Sequence, residues 1–425
     1  MSITVGMATA FPRMRTSVVI SVLDQAWLSG ANLLLGVFLI KHSTKEAYGS
    51  YVLGYAIILF LVSVQNALVT TQMSVLAPGR SVSEQGRFCS ALAVGQFAIF
   101  IPVILLIAMV GVVLNLRGAE NGAGLAFAIA VSTLGVILRE FFRSYFFLRL
   151  RPAVVMGLDV VFVLLLFSGL WVAVWMKLSS ITLAALVIMG VVSLLVGFLS
   201  VFIARNELSV KIADILPALR ESWRYGRWAL AGVTVTWLQD QSYIYLLSAM
   251  VSTAETAEAS AARLFLAPLT LLNVGFYRVL LPRWAYMSHE NKHKEIAGMA
   301  RRIKWPLVWM VVAYVAALLL LKDWLIPLLL TGDYTQTGAL IVLWGAMFAL
   351  QAVRTNYSLL LQVYKRFRDI TLANTATAIG VLILGAALIR AYGVIGSMVT
   401  LIIGEASLTI LLVYGFRNVR KNTAH

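Results

Sequence analysis

The chain has 425 residues, of which 61% are hydrophobic and 12% are charged, and its mean hydropathy is +0.90. Soluble domains carry about 25% charged residues, so this composition excludes a soluble globular protein and predicts an integral membrane protein. The net charge of +16 does not indicate nucleic-acid binding, because the basic residues lie in short segments between apolar runs. The single cysteine, Cys89, excludes an intrachain disulfide framework.

Apolar runs long enough to cross a bilayer follow one another along the whole chain. A helix needs about 20 such residues to cover the ~30 Å of hydrocarbon. We therefore predict an all-α membrane protein of about twelve transmembrane helices, near residues 18–40, 49–71, 90–114, 123–147, 153–176, 180–203, 228–250, 259–281, 305–325, 337–361, 370–389 and 394–416. The residues before the first span carry Arg13 and Arg15 and no clear cleavage site, so we predict no cleaved signal peptide.

The basic residues between these spans predict the orientation, because cytoplasmic loops carry the excess of Lys and Arg. With the N-terminus inside, the inner segments hold 25 of the 34 Lys and Arg residues, and the outer segments hold 6. One missed or invented span would destroy this alternation. Both termini are therefore predicted to be cytoplasmic.

The two longest predicted loops, 204–227 and 282–304, are both cytoplasmic. The first lies halfway along the chain and has apolar residues at helical spacing among basic ones: Ile212, Ile215, Leu216 and Leu219. This pattern is typical of a short amphipathic helix on the inner leaflet. We predict an N-terminal six-helix bundle (1–203), this connector (204–227) and a C-terminal six-helix bundle (228–425).

A faint internal similarity supports two related halves. The polar turn STKEAYGSY follows the first span, and STAETAEASA follows the seventh. Such repeats build transporters whose two bundles face each other across a central cavity.

Motifs of enzyme chemistry are missing from the sequence. It has no phosphate-binding glycine loop, metal-type histidine cluster or nucleophile elbow. The histidines lie in predicted loops or the tail: His42, His289, His293 and His425. The outer loops are too short for a periplasmic catalytic site, which counts against a membrane-embedded glycan polymerase or acyltransferase. We predict that the chain is not an enzyme and that it binds no metal ion and no cofactor.

Polar residues recur inside the predicted spans, where they normally face a bundle interior or a water-filled cavity. In the first span one face holds Asp24 with Ser17, Ser21, Gln25, Ser29, Asn32 and Gly36. In the seventh span one face holds Gly232, Thr236, Gln239 and Tyr243, with Asp240 near its edge. The second span adds Gln65, Asn66 and Gln72, and the eighth adds Asn273. These faces indicate either a cavity wall or hydrogen bonds that only hold the bundle together.

Charged residues inside the spans differ in depth. Asp240 and Glu405 lie nearest the middle, and Glu405 is either a buried partner of an arginine or a protonatable coupling group. Three arginines lie closer to span ends, where their stems could also snorkel: Arg139, Arg263 and Arg354. Asp159, near the inner end of the fifth span, is predicted to be a helix-start acid and not a site residue.

Several segments resemble one family in order and placement. They are VLDQAWLSGANLLLGVFLIKHSTKEAYGSYVLGYAI, QNALVTTQMSVLAP, LREFFRSYFFLRLRP, WRYGRWAL, ARLFLAPLTLLNVGFYRVLLP and TGDY. They resemble the Wzx-type O-antigen and exopolysaccharide flippases, the polysaccharide-transport branch of the multidrug/oligosaccharidyl-lipid/polysaccharide (MOP) exporter superfamily. The resemblance implies two six-helix bundles related by a pseudo-two-fold axis, a MATE-like fold. It also implies a bacterial inner-membrane protein whose substrate is an undecaprenyl-diphosphate-linked oligosaccharide.

The resemblance also implies roles for the residues found above. Arg139 and Arg143 would capture the diphosphate at the inner mouth, Arg354 would oppose them, and Arg263 would act near the outer mouth. Four amides would bind sugar hydroxyls: Asn32, Asn66, Gln239 and Asn273. Three acids are candidates for coupling to H⁺ or Na⁺: Asp24, Asp240 and Glu405. Besides membrane lipids, the implied partners are a polysaccharide polymerase and chain-length machinery.

Because the deepest charges are acidic, a second interpretation stays open. On the same fold, the chain would be a cation-coupled, MATE-like exporter of drugs or other small molecules. A major-facilitator transporter is disfavoured, since PGRSVSEQGRF after the second span lacks that family's loop pattern.

Overall fold

The computed structural model describes residues 4–270, 273, 280, 283–284, 286–288, 290, 292–330, 334–364 and 366–422. For residues 4–18, 120, 293 and 418–422 it describes the backbone alone. The described part is helical, without β-strands, as predicted. Its helices are α1 (Thr4–His42), α2 (Lys45–Gln65), a π-helix (Asn66–Thr70), α3 (Thr71–Leu76), α4 (Val82–Leu116), α5 (Glu120–Leu148), α6 (Pro152–Trp175), α7 (Ile181–Ala204), α8 (Ile212–Met250), α9 (Thr253–Leu264), α10 (His293–Leu320), α11 (Lys322–Leu329), α12 (Thr337–Val363) and α13 (Phe367–Asn422).

Within these ranges, nine helical segments are long and apolar enough to cross a membrane. The last of them, Phe367–Arg417, has 51 residues and holds two predicted spans, which meet at a break at Gly393 (φ 55°, ψ −133°). The seventh predicted span is the second part of α8. The eighth starts in α9, and most of its remainder lies outside the described residues.

Local sequence signals explain several helix ends. At the start of α4, Ser81 and Glu84 form a capping box, in which the Ser81 amide donates to Glu84 Oε2 at 3.0 Å. Pro152 is the first residue of α6, where its missing N–H costs nothing. The break in α13 falls at Gly393 because a positive φ carries little penalty for glycine.

The chain divides into two compact units. Unit 1 takes the chain up to Leu35 together with Gly54–Val233, and unit 2 takes Gly36–Leu53 with the chain from Thr234 onward. The division falls inside three helices, α1, α2 and α8. The sequence-based division at 203/204 and 227/228 stays a prediction.

Unit 1 is held together by close packing of small residues. A Cβ at Gly135 of α5 would meet the Gly190 carbonyl of α7, so the two backbones touch there. One turn away, Ser132 Oγ donates to the Leu186 carbonyl at 2.5 Å. Small residues and hydroxyl bonds of this kind are typical of helix contacts in membranes, where lipid gives helices no hydrophobic reason to associate.

The connector region is part of a longer helix, since α8 runs without interruption from Ile212 into the seventh predicted span. Of its predicted apolar residues, Ile215 and Leu219 pack over Gly95 in unit 1. Ile212 and Leu216 are exposed.

In unit 2, α9 binds three segments that are distant in sequence. Lys45 Nζ lies 2.7 Å from Glu258 Oε2, and the Gln336 amide donates to Glu258 Oε1 at 2.7 Å. The Val394 amide, beside the α13 break, donates to Glu255 Oε2 at 2.5 Å. Two buried or half-buried acids of α9 therefore fix the polar ends of the neighbouring helices.

Candidate functional site

Five charged residues of unit 1 form one group, which we call the arginine cluster: Asp24, Arg139, Glu140, Arg143 and Asp159. Arg139 and Arg143 lie one turn apart on α5, and this spacing puts both guanidiniums on one helix face. The acids come from α1, α5 and α6. The structure thus joins two predicted capture residues to the predicted coupling acid Asp24.

Asp159 bridges the two arginines. Its Oδ1 lies 2.5 Å from Arg139 Nη2, and its Oδ2 lies 2.8 Å from Arg143 Nε. Arg143 Nη2 also reaches Asp24 Oδ2 at 2.6 Å. Glu140 is a more distant partner, at 3.4 Å from Arg139 and 3.8 Å from Arg143.

Burial differs sharply within the arginine cluster. The side chains of Asp24, Asp159 and Arg139 are only 1%, 2% and 8% exposed, whereas that of Arg143 is 19% exposed. Arg139 also stacks on Phe162, 3.7 Å from the ring centroid. Arg139 is therefore a buried ion-pair member and not a snorkelling anchor. The prediction that Asp159 is a helix-start acid is wrong, because Asp159 lies beyond the first turn of α6 and pairs with both arginines.

Some polar atoms of the arginine cluster remain able to form further hydrogen bonds. Within the described residues, Asp24 Oδ1 and Arg139 Nε are buried without a hydrogen-bond partner. Arg143 Nη2 and Nε each bind a carboxylate, whereas Nη1 is 3.8 Å from the nearest one, so a phosphate that bound Arg143 through both Nη1 and Nη2 would displace Asp24. Asp24 is the exchangeable one, since Asp159 is also held by Arg139.

Unit 2 contains a second group of polar side chains around a small cavity, which we call the unit-2 cavity. Its walls come from α8, α9, α12 and α13. Its polar lining is Gln239, Asp240, Arg263, Gln351 and Glu405, and its apolar lining is Met347, Val381, Leu401 and Gly404. The structure therefore gathers four predicted site residues from different helices in one place.

Charges around the unit-2 cavity are unevenly paired. Arg354 Nε lies 2.7 Å from Glu405 Oε2, which confirms that Glu405 is paired with an arginine. Arg263 lies over the Trp344 ring at 5.2 Å from its centroid. Asp240 is exposed to the cavity and, within the described part of the chain, has no cation within 4 Å. A carboxylate there can take a proton or a small cation.

The remaining predicted side chains lie apart from both groups. Asn32 is exposed on α1. Asn66 opens the π-helix and accepts a hydrogen bond from Thr70 Oγ1 at 2.7 Å. Asn273 is half-buried beside a mostly apolar pocket formed with Leu269 and Phe348. Proximity therefore does not assign these three amides to either group.

Three features of these sites were absent from the predictions: Glu140 and Gln351 as site residues, and the π-helix. Glu140 lies between the two arginines in sequence, which is a usable signal. The π-helix has no sequence signal that we recognise, although such segments often occur at functional sites.

Comparison with known proteins finds similarity in structure only. No protein-family model and no curated protein matches the sequence. The lipid II flippase MurJ, in an inward closed conformation, superposes with a TM-score of 0.75 at 14% identity, covering 94% of this chain and 87% of that chain. An inward-facing multidrug resistance MATE transporter of the MOP superfamily gives 0.70 at 12% identity, covering 92% and 94%.

A third solved structure is a MOP superfamily transporter from Pyrococcus furiosus described as having reversed polarity of its binding pocket. It gives a TM-score of 0.64 at 12% identity, and the match covers 96% of this chain and 95% of that chain. A flippase and a multidrug exporter are thus both among the solved structures that are similar to this chain. The chain has the all-α MATE-like fold that its resemblance implied.

Proposed function

We propose that this chain is a transporter that flips undecaprenyl-diphosphate-linked oligosaccharide repeat units across the bacterial inner membrane by alternating access. The observation that carries the proposal is Arg143, a partly exposed guanidinium held between two buried carboxylates. The fold is shared with the lipid II flippase named above, so a lipid-linked substrate is compatible with it.

Arg143 suits a diphosphate because its planar fork matches two phosphate oxygens, and such charge-assisted bonds are among the strongest in proteins. Asp159 would continue to orient Arg143, since it is itself fixed by Arg139. The incoming phosphate would take the position of Asp24 on Arg143. The charge of the cluster is conserved in this exchange when the released Asp24 carboxylate takes up one positive charge.

The released Asp24 gives the exchange a route to ion coupling. A buried, unpaired carboxylate is costly, so Asp24 would take up a proton or Na⁺ when the phosphate displaces it. Asp240 and Glu405 would serve the same coupling in unit 2. They would not contact the diphosphate directly, because like charges repel strongly where the dielectric constant is low.

Neutral side chains would bind the sugar hydroxyls. Gln239 lines the unit-2 cavity, and its buried Oε1 has no hydrogen-bond partner within the described residues. Asn32, Asn66 and Asn273 are further candidates. Arg263 and Arg354 would balance the acids of unit 2. A polysaccharide polymerase and its chain-length machinery would receive the flipped repeat unit.

One observation favours a second function. Asp240 is an acid open to the unit-2 cavity and, among the described residues, forms no ion pair within 4 Å, which suits a cationic substrate. A cation-coupled exporter of drugs or small molecules is therefore the alternative.

The test uses purified protein in proteoliposomes that contain a fluorescent undecaprenyl-diphosphate-linked sugar. A membrane-impermeant quencher added outside reports how fast the sugar crosses the bilayer. We expect the wild type to accelerate crossing and Arg143→Ala to lose most of that rate, with Arg205→Ala, an exposed arginine outside the cluster, unchanged. If the wild-type protein in these liposomes transports a cationic dye but does not move the lipid-linked sugar, the result would favour the alternative.

A further inference from the structure

The first part of α8, residues 212–228, is called the connector helix below. One face of it packs against other helices of unit 1. Ala218, Ser222 and Gly226 are buried at every fourth residue. Ser222 Oγ donates to the Leu68 carbonyl in the π-helix, and Gly226 packs against the same stretch of backbone. This face is occupied by protein.

Both carboxylates of the connector helix form ion pairs with arginines elsewhere in unit 1. Arg87 donates two hydrogen bonds of 2.8 Å to Asp214, and Arg80 Nη2 lies 2.6 Å from Glu221 Oε2. The hydrogen bond from Arg87 holds the pKa of Asp214 below its usual range, so Asp214 stays ionised at neutral pH. No acid of this helix is left to neutralise its outer face.

The outer face carries three exposed arginines: Arg220, Arg224 and Arg227. Within the described residues, no carboxylate lies within 4 Å of any of them. At 100° per residue, the three lie within an arc of about 60°. They form one basic strip along the helix.

An apolar stripe runs beside this strip. Ile212, Leu216 and Trp223 are 85%, 56% and 52% exposed, and they share an arc of about 40°. Trp228 is exposed as well, with Arg227 lying 5.5 Å from its ring centroid. A protein surface with exposed tryptophans next to arginines is typical of the membrane interface.

We propose that the outer face of the connector helix binds anionic glycerophospholipids of the inner leaflet. The apolar stripe lies at the acyl boundary, and the arginine strip meets the lipid phosphates. Two observations select this occupant. The strip is unpaired positive charge, and the inner face of the helix contacts Leu68 and Gly95, which lie near the inner ends of two predicted spans and so place residues 212–228 at the membrane surface. The inference depends on the membrane fold and not on the transported substrate.

The experiment places one fluorophore on the apolar stripe. Cys89, the only cysteine, is buried, so Cys89→Ala with Leu216→Cys gives a single labelling site. The labelled protein is placed in phosphatidylcholine nanodiscs with a small fraction of spin-labelled lipid. Quenching by spin-labelled phosphatidylglycerol is compared with quenching by spin-labelled phosphatidylcholine.

We expect phosphatidylglycerol to quench preferentially, and we expect added salt to weaken that preference. The preference should fall about fivefold for each arginine removed in Arg220→Gln, Arg224→Gln and Arg227→Gln. The matched control removes the same charge from exposed arginines elsewhere: Arg205→Gln, Arg301→Gln and Arg302→Gln. It should keep the preference.

Three results would overturn the proposal. The first is equal quenching by the two lipids in the labelled protein that keeps its three arginines. The second is a preference that survives the connector variants. The third is a label quenched preferentially by spin-labelled undecaprenyl diphosphate over phosphatidylglycerol, which would make the surface a substrate-docking site. Loss of transport in the proteoliposome assay leaves this measurement untouched, so the two proposals can fail separately.

Discussion

Arg143 contacts carboxylates from α1, α5 and α6, and its 19% exposure makes it the more accessible of the two arginines in the cluster. Arg143→Ala should reduce glycan export at least about tenfold while leaving the protein in the membrane. Arg143→Lys should recover only part of the activity, because an ammonium cannot make the two-pronged contact with phosphate. Surface glycan and membrane-protein levels, measured together, check this. Wild-type export from Arg143→Ala would reduce Arg143 to a structural role.

Asp159 is a structural member of the same cluster, and its removal tests the pairing itself. Asp159→Asn leaves Arg139 without its short ion pair, and breaking a buried pair costs about 3–5 kcal/mol. Asp24→Asn should cost less, because Arg143 keeps its contact with Asp159. Thermal unfolding in detergent should therefore show a larger fall in midpoint for Asp159→Asn. An equal or reversed order would contradict this pairing.

The ion pairs of the arginine cluster could be predicted only in part from the sequence. The arginines stand out because charges are rare in apolar spans, and their spacing predicts a shared face. The partner of each arginine depends on how neighbouring helices are rotated, and hydropathy does not encode that rotation. Asp159 was misjudged for this reason, since its chain position gives its depth but not the direction of its side chain.

At the scale of helices, the spans themselves were predictable because each apolar run must match the bilayer thickness. The contacts between these helices were less predictable from the sequence. Gly135 and Gly190 look like other glycines in the sequence, yet they mark the point where α5 and α7 touch. The unbroken α8 was predicted only in part, since the amphipathic pattern indicated a helix in the connector but not that it continues into the seventh span.

The α5–α7 contact gives a matched pair of glycine variants. Gly135→Ala should lower the unfolding midpoint, because its Cβ would meet the backbone at Gly190, and overpacking of this kind costs about 1–3 kcal/mol. Gly157→Ala on α6 has open space around its Cβ and should be neutral or gain about 0.5–1 kcal/mol. Thermal scans of both variants in one detergent make the comparison. An unchanged midpoint for Gly135→Ala would mean that the helices are farther apart there.

For the whole molecule, the predicted orientation has a direct check. Reporter tags at the C-terminus and in the segment 205–211 should report the cytoplasm, and a tag near Glu120 should report the periplasm. The reason is the excess of basic residues on the predicted inner side. A periplasmic C-terminus would contradict the topology and with it the assignment of the connector helix to the inner leaflet.

The fold is common to flippases and drug exporters, so the decision between them rests on the charged groups and on cellular outcome. The arginine cluster supports an anionic headgroup, whereas the open carboxylate of Asp240 supports a cationic substrate. Asp240→Asn keeps the shape of the side chain and removes its charge. For a flippase in which Asp240 couples an ion, this variant should lower glycan export and remove its dependence on the ion gradient.

The most direct measurement uses a strain in which this gene is deleted and no paralogue substitutes for it. Surface polysaccharide and drug susceptibility are measured in the deletion strain and after complementation with the wild type or with Asp240→Asn. We predict that the deletion abolishes the polysaccharide without changing drug susceptibility, that the wild type restores it, and that Asp240→Asn restores only part. Normal polysaccharide in the deletion strain, together with increased drug sensitivity that Asp240→Asn cannot relieve, would contradict the flippase assignment.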